Sequence, residues 1–157
     1  MKKQNGFTFI EMLAAMLILG FLILLVRSGT NAAMKTYDES ISYSESNTLC
    51  STLIFSIENE LRYASSFNTD ADGVINSFTS ADYGMDTSFK VDNGKLKISS
   101  STNTFPVVGG KTYTDGLEVY KFQIKKGGKV PAGQMIEINI TLNNGTSVST
   151  EVLNLNS

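Results

Sequence analysis

Residues 6–13, GFTFIEML, open a run from Phe7 to Val26 in which every side chain is apolar or small except Thr8 and Glu11. Twenty residues at about 1.5 Å rise reach about 30 Å, the thickness of a bilayer's hydrocarbon core, so the run is long enough to span one. A carboxylic acid inside such a span is costly to insert, and acids there usually mark function. Lys2 and Lys3 precede the run and Arg27 and Lys35 follow it. This charge count barely fixes orientation. The leader Met1 to Gly6 is too short to fold, so the large polar part after the span is placed outside the cytoplasm.

Composition narrows the class further. The chain has 157 residues, and about 125 remain for a soluble part with one modest core. A net charge of -2 gives no general reason to bind nucleic acid or anionic membranes. Cys50 is the single cysteine and histidine is absent. An internal disulfide, a Cys/His metal set and the Ser-His or Cys-His catalytic pairs are thereby excluded. The ordinary alternative for the N-terminus is a secretory signal peptide cut near Ala32 and Ala33. Its apolar core would be shorter, and it would carry neither Glu11 nor a glycine directly before the run.

Lys2-Lys3, then Gly6-Phe7-Thr8, then Ile10-Glu11-Met12-Leu13 resembles the class III leader of type IV pilins and type II secretion pseudopilins. The resemblance implies that a prepilin peptidase cuts between Gly6 and Phe7 and methylates Phe7, the new N-terminus. It implies that Glu11 is the acid used in assembly. The expected partners are other pilin subunits, the prepilin peptidase and the platform protein of the cytoplasmic (inner) membrane. The expected life history is a single-pass membrane protein that passes into a surface pilus. A structural subunit is expected and not an enzyme, with no cofactor, no metal and no small-molecule substrate.

The spacing has its own physics. Residues four apart share a helical face, so Glu11 lies one turn from a new amine on Phe7. A carboxylate in the first turn also complements the helix macrodipole. In the family the acid is thought to meet the amine of a neighbouring subunit, where a buried polar pair serves as a register mark. The same spacing serves both pairings.

Beyond Val26 the helix continues. Met34, Tyr37, Ile41, Thr48 and Phe55 form one stripe, and Leu49, Leu53, Ile57, Leu61 and Ala64 a second, overlapping one. Such stripes are expected to pack on a sheet, with Cys50 as a small core residue beside Leu49. Gly20 and Gly29 are weak points, each costing up to about 1 kcal/mol relative to Ala. Many pilins carry a proline near Ser28-Gly29. This chain has none, so Gly20 is the expected point of softening.

From about Ser88 the period becomes strand-like. Phe89 to Val91 and Lys95 to Ser99 flank Asp92-Asn93-Gly94, a hairpin signal. Leu117 to Lys125 reads as a strand with Tyr120, Phe122 and Ile124 on one face. Ile136, Ile138, Ile140 and Leu142 alternate, and Asn143-Asn144-Gly145 turns the chain into Val148 to Leu155. Gly109-Gly110 and Gly127-Gly128 read as loops. The expected fold is α+β, a long N-terminal helix on an antiparallel sheet of four to five strands, which is also the pilin architecture. Its parts are a leader (1–6), an apolar transmembrane and assembly helix (7–29), an amphipathic helix half (30–66) and a β-sheet globular part (67–157).

Two further constellations carry possible chemistry. Asn68, Asp70, Asp72, Gly73 and Asn76 fall at positions 1, 3, 5, 6 and 9 of an EF-hand-like loop, with Ile75 at the eighth. The twelfth, Thr79, is no acid, so calcium would need Asp82 instead, and an Asx-rich turn ending the long helix is the favoured reading. Lys121, Lys125, Lys126 and Lys129 around Phe122 would suit a DNA backbone. They also suit a solvated strand edge. The segments IENELRYASSF, LEVYKFQI and TLNNGTSVSTEVLNLN are more similar to minor pilins and J-type pseudopilins than to abundant major pilins. The alternative from another class is an uncleaved membrane-anchored adhesin or DNA-binding module.

Overall fold

In the computed structural model, which describes residues 8–114 and 116–156, a single helix, α1 (Phe9–Arg62), precedes eight strands. The chain divides into two compact units, Met1–Ser42 and Tyr43–Ser157. In the first unit the described residues are helical from Phe9 onward, and every described side chain is exposed. Two of its hydroxyls bond the helix itself: Thr30 Oγ1 donates to the Val26 carbonyl at 2.9 Å and Thr36 Oγ1 to that of Ala32 at 3.1 Å. Back-bonding of this kind gives a helical threonine a partner without leaving its own helix. The helix runs through Gly20 and Gly29 without a break.

The second unit holds the core. Its strands are β1 (Ser65–Thr69), β2 (Ile75–Ser80), β3 (Gly84–Asp92), β4 (Lys95–Ser99), β5 (Thr104–Pro106), β6 (Val119–Val130), β7 (Gly133–Leu142) and β8 (Ser147–Asn154). They form a five-stranded sheet in the order β1-β2-β3-β4-β5 and a three-stranded sheet β6-β7-β8, with all pairings antiparallel. The α+β class and the helix on an antiparallel sheet are as the sequence predicts. The second sheet is additional, and the strands read from periodicity are shared between the two. β6 is joined to two turns of the first sheet: Val119 N donates to Gly94 O at 2.7 Å and Lys126 N to Gly73 O at 2.9 Å.

Leu49, Leu53, Ile57, Leu61 and Ala64 are fully buried against Ile136, Ile138 and Ile140 and their neighbours, and Cys50 is buried among them. Burying each Leu- or Ile-sized side chain contributes about 1.5–3 kcal/mol, which is what holds this half of α1 to the sheets. The other stripe behaves differently from the expectation. Met34, Tyr37, Ile41, Thr48 and Phe55 are exposed, Phe55 by 74%. Within the second unit one side of the helix suffices to cover the sheets, so Thr48 and Phe55 are left outside.

Three local readings are corrected. Tyr120 does not share a face with Ile124: a bulge between Val119 and Lys121 shifts the register, so Val119 and Ile124 point inward and Tyr120 is 78% exposed. Gly127-Gly128 is no loop but lies within β6 at a second register shift, with Gln134 Nε2 donating to the Gly127 carbonyl at 2.6 Å. The helix stops at Arg62, and β1 begins at Ser65, where the periodicity had carried the helix to residue 66.

The stop has a clear cause. Asn154, fully buried at the end of β8, donates through Nδ2 to the carbonyls of Leu61 at 2.7 Å and Ala64 at 2.8 Å. Leu61 is in the last turn of α1, where a helix end leaves carbonyls open, and Ala64 lies just beyond it. Asn154→Ala should destabilise the fold by about 1–3 kcal/mol, because buried acceptors lose their donor. Thermal unfolding of the detergent-solubilised chain reads this as a lower Tm, and an unchanged Tm would show that the carbonyls find another donor. Gly133 packs against the backbone of the same residue, since a Cβ there would lie 2.1 Å from the Asn154 carbonyl oxygen.

The hairpin expectations hold. Asp92 pairs with Lys95, and Asn93 and Gly94 take φ of 50° and 69°, the left-handed pair of a two-residue hairpin. Thr141 pairs with Ser147 around Asn143-Asn144-Gly145, and Asn144 Nδ2 ties this turn to Ser46 Oγ on α1 at 2.6 Å.

The β2–β3 turn is anchored to α1 in a comparable way. Ser80 Oγ donates to the Glu60 carboxylate and accepts from the backbone N–H of Asp82 at 3.0 Å and Tyr83 at 2.9 Å. Partial burial pushes the Glu60 carboxyl up; the Ser80 hydroxyl pulls it down, and the nearby Asp82 charge raises it again, for a net rise. A carboxyl raised on folding binds its proton more tightly in the native state. Stability is therefore lost as pH climbs from the ordinary glutamate value through the raised one. Glu60→Gln keeps an acceptor for Ser80 and should raise Tm at pH 7 while leaving it nearly unchanged below the glutamate range. Equal Tm values for the two proteins at pH 7 would contradict this.

Candidate functional site

The start of α1 is built by two side chains. Thr8 lies immediately before the helix, and Glu11 is in its first turn. Glu11 Oε2 accepts from the Thr8 backbone N–H at 2.8 Å and from Thr8 Oγ1 at 2.8 Å, while Glu11 N donates to Thr8 Oγ1 at 3.4 Å. This reciprocal pattern is a capping box, which satisfies donors the helix start leaves open. It also sets the carboxylate at the positive end of the helix macrodipole. Gly6 and Phe7, the expected processing pair, lie outside the described residues, as do Lys2 and Lys3.

Behind the cap, the apolar stretch is exposed throughout, from Phe9 at 78% to Val26 at 67%. Its mean hydropathy of 2.8 and its length make it a helix able to cross a membrane. Residues 1–26 match the family described as the prokaryotic N-terminal methylation motif. The chain opens with a class III prepilin leader. Such leaders belong to precursors of type IV pilins and pseudopilins. The match covers the leader and the apolar part of α1 and none of the strands. No curated protein and no solved structure matches this chain.

Prepilin leader and capping box overlap at Thr8-Phe9-Ile10-Glu11. The residue that sequence reasoning missed here is Thr8, and the signal was available: Thr-x-x-Glu ahead of an apolar run is the capping-box pattern. The box gives Glu11 a partner within its own chain, which holds the carboxylate at the helix start.

The two other constellations sit on the edge of the second unit. Asn68 is in β1 and Asn76 in β2, and the segment between them is a hairpin turn. Asp70 Oδ1 accepts from the backbone N–H of Asp72 at 3.0 Å and Val74 at 2.8 Å, an Asx turn closed by Gly73 at φ 77°. Among the described residues no three acidic, cysteine or histidine side chains gather as a metal set. Lys121, Lys125, Lys126 and Lys129 line β6, where Lys125 faces Glu137 across the ladder. The β6 strand pairs at Lys125 with Val74. The lysines thus share their edge with Asp70 and Asp72, which dilutes the field a nucleic acid backbone would need.

Proposed function

We propose that the chain is a structural subunit, a minor pilin or pseudopilin, of a type IV pilus or related pseudopilus. The prepilin peptidase cuts it between Gly6 and Phe7 and methylates Phe7. The apolar part of α1 then holds it in the cytoplasmic membrane, where the platform protein delivers it to a growing fibre. There α1 packs among the helices of other subunits and Glu11 meets a neighbour's terminal amine.

The observation that carries this reading is the prepilin leader joined to a helix whose apolar surface is exposed along its whole first unit. A bilayer covers such a surface before assembly, and neighbouring helices cover it in a fibre. The exposed stripe of Met34, Tyr37, Ile41 and Phe55 extends the surface beyond the span. This stripe is too long to be covered by the bilayer alone.

The test compares the host with a strain lacking the prepilin peptidase. In the host the shortened chain should appear in the sheared-fibre fraction. Without the peptidase it should be full-length and confined to the membrane. The same length and the same location in both strains would refute the proposal.

A further inference from the structure

Arg27 closes the apolar span, next to Leu22, Ile23 and Val26, and is exposed with them. Among the described residues the ion pairs within 4 Å are Lys35 with Glu39 and Lys97 with Asp92, so Arg27 has no carboxylate partner. In a bilayer its side chain reaches the headgroups. Packed among apolar helices it loses both headgroups and water, and a charge in that position needs an opposite charge and hydrogen bonds.

The second unit contains a matching deficit. A cleft of about 220 Å³ lies between the last turns of α1 and the β2–β3 turn, lined by Phe55, Asn59, Glu60, Asp82 and Tyr83. Tyr83 is backed by Phe105, with ring centroids 5.6 Å apart. Glu60 and Asp82 repel each other, and neither has a cation within ion-pair distance among the described residues. Aromatic faces beside paired carboxylates suit a guanidinium better than an ammonium, because it is planar, weakly hydrated and able to bond both acids through its fork. Lys35 is the poorer candidate, since it already has Glu39 one turn away on its own helix.

We infer that this cleft is a socket for Arg27 of a second copy of the chain, an inference that rests on the fibre-subunit reading. Side chains on one helix meet at spacings of three or four residues, and Arg27 and Glu60 are much further apart on α1. The contact is therefore between copies. It joins two different patches, one on each copy, and such head-to-tail contacts build open helical assemblies when they do not close into rings. The same contact would explain why two like charges are kept together in the subunit. They become favourable only when the next copy arrives.

The experiment follows full-length variants in the host and reads both shortening and the amount in sheared fibres. Arg27→Glu and Glu60→Arg should each be shortened normally and be depleted from fibres by roughly tenfold or more. The combined variant should recover most of that loss, as a coupled pair requires. Glu60→Gln is the control for misfolding: it should unfold at a higher Tm at pH 7 yet enter fibres less well than the wild type, a combination that a purely structural role does not produce. Wild-type incorporation of Arg27→Glu or Glu60→Gln would overturn the socket. So would a double variant no better than the worse single one. If the wild-type chain itself is not shortened, the subunit reading fails and the socket with it; a shortened chain whose fibres ignore these charges removes the socket alone.

Discussion

Glu11→Ala should yield a protein shortened as in the wild type and retained in the membrane, with its share of sheared fibres reduced roughly tenfold or more. Removing the acid makes the span more apolar and leaves Gly6 untouched, so insertion and cutting have no reason to suffer. Assembly does, because a neighbour's amine, brought among apolar helices, is left without its counter-charge. The capping box adds a second and smaller effect, since the Thr8 N–H and hydroxyl lose the acceptor they share. Thr8→Ala separates the two: it removes the box's hydroxyl and keeps the carboxylate. That variant should fray the first turn of α1 and still enter fibres far better than Glu11→Ala. Comparison at matched expression is required. Glu11→Ala fibres of wild-type composition would mean that the acid serves only the start of its own helix.

The second large effect is at the cut itself. Gly6→Leu should leave nearly all of the chain as full-length precursor in the membrane. A peptidase must bring the junction against its own active site, and a glycine there permits close backbone approach in conformations a branched side chain forbids. The precursor keeps the Met1 to Gly6 leader, so Phe7 has no free amine and the partner proposed for Glu11 is never made. Gel mobility and the intact mass of the membrane-bound chain give the readout. Normal shortening of Gly6→Leu would place the cut elsewhere.

Much of the fold was legible because the relevant signals are local. Ile136, Ile138, Ile140 and Leu142 alternate in sequence and are all buried in β7. Asn93, Gly94 and Gly145 take left-handed backbone at the two turns, which few residues other than Asn and Gly adopt so readily. The prepilin leader was equally legible, since its chemistry lies within a dozen consecutive residues.

What escaped depends on contacts between distant segments. β1, SSFNT, carries a single aromatic among polar residues, so no apolar alternation announces it, and it forms by pairing with β2. Two stripes ran along α1, and only the sheets decide that Leu49, Leu53, Ile57 and Leu61 are the buried set. The bulge at Tyr120 shifts every inward residue before it by one position, which no strict period of two can express. Asn154 ends α1 from more than ninety residues away. The Glu60 and Asp82 cleft is likewise a product of tertiary packing, with each acid ordinary in its own stretch of sequence.

Cleavage between Gly6 and Phe7 is read directly by mass spectrometry of the N-terminal peptide from the membrane and fibre fractions. A peptide that begins at Phe7 and carries one added methyl group is the predicted result. An intact Met1, or a start near Met34, would contradict it.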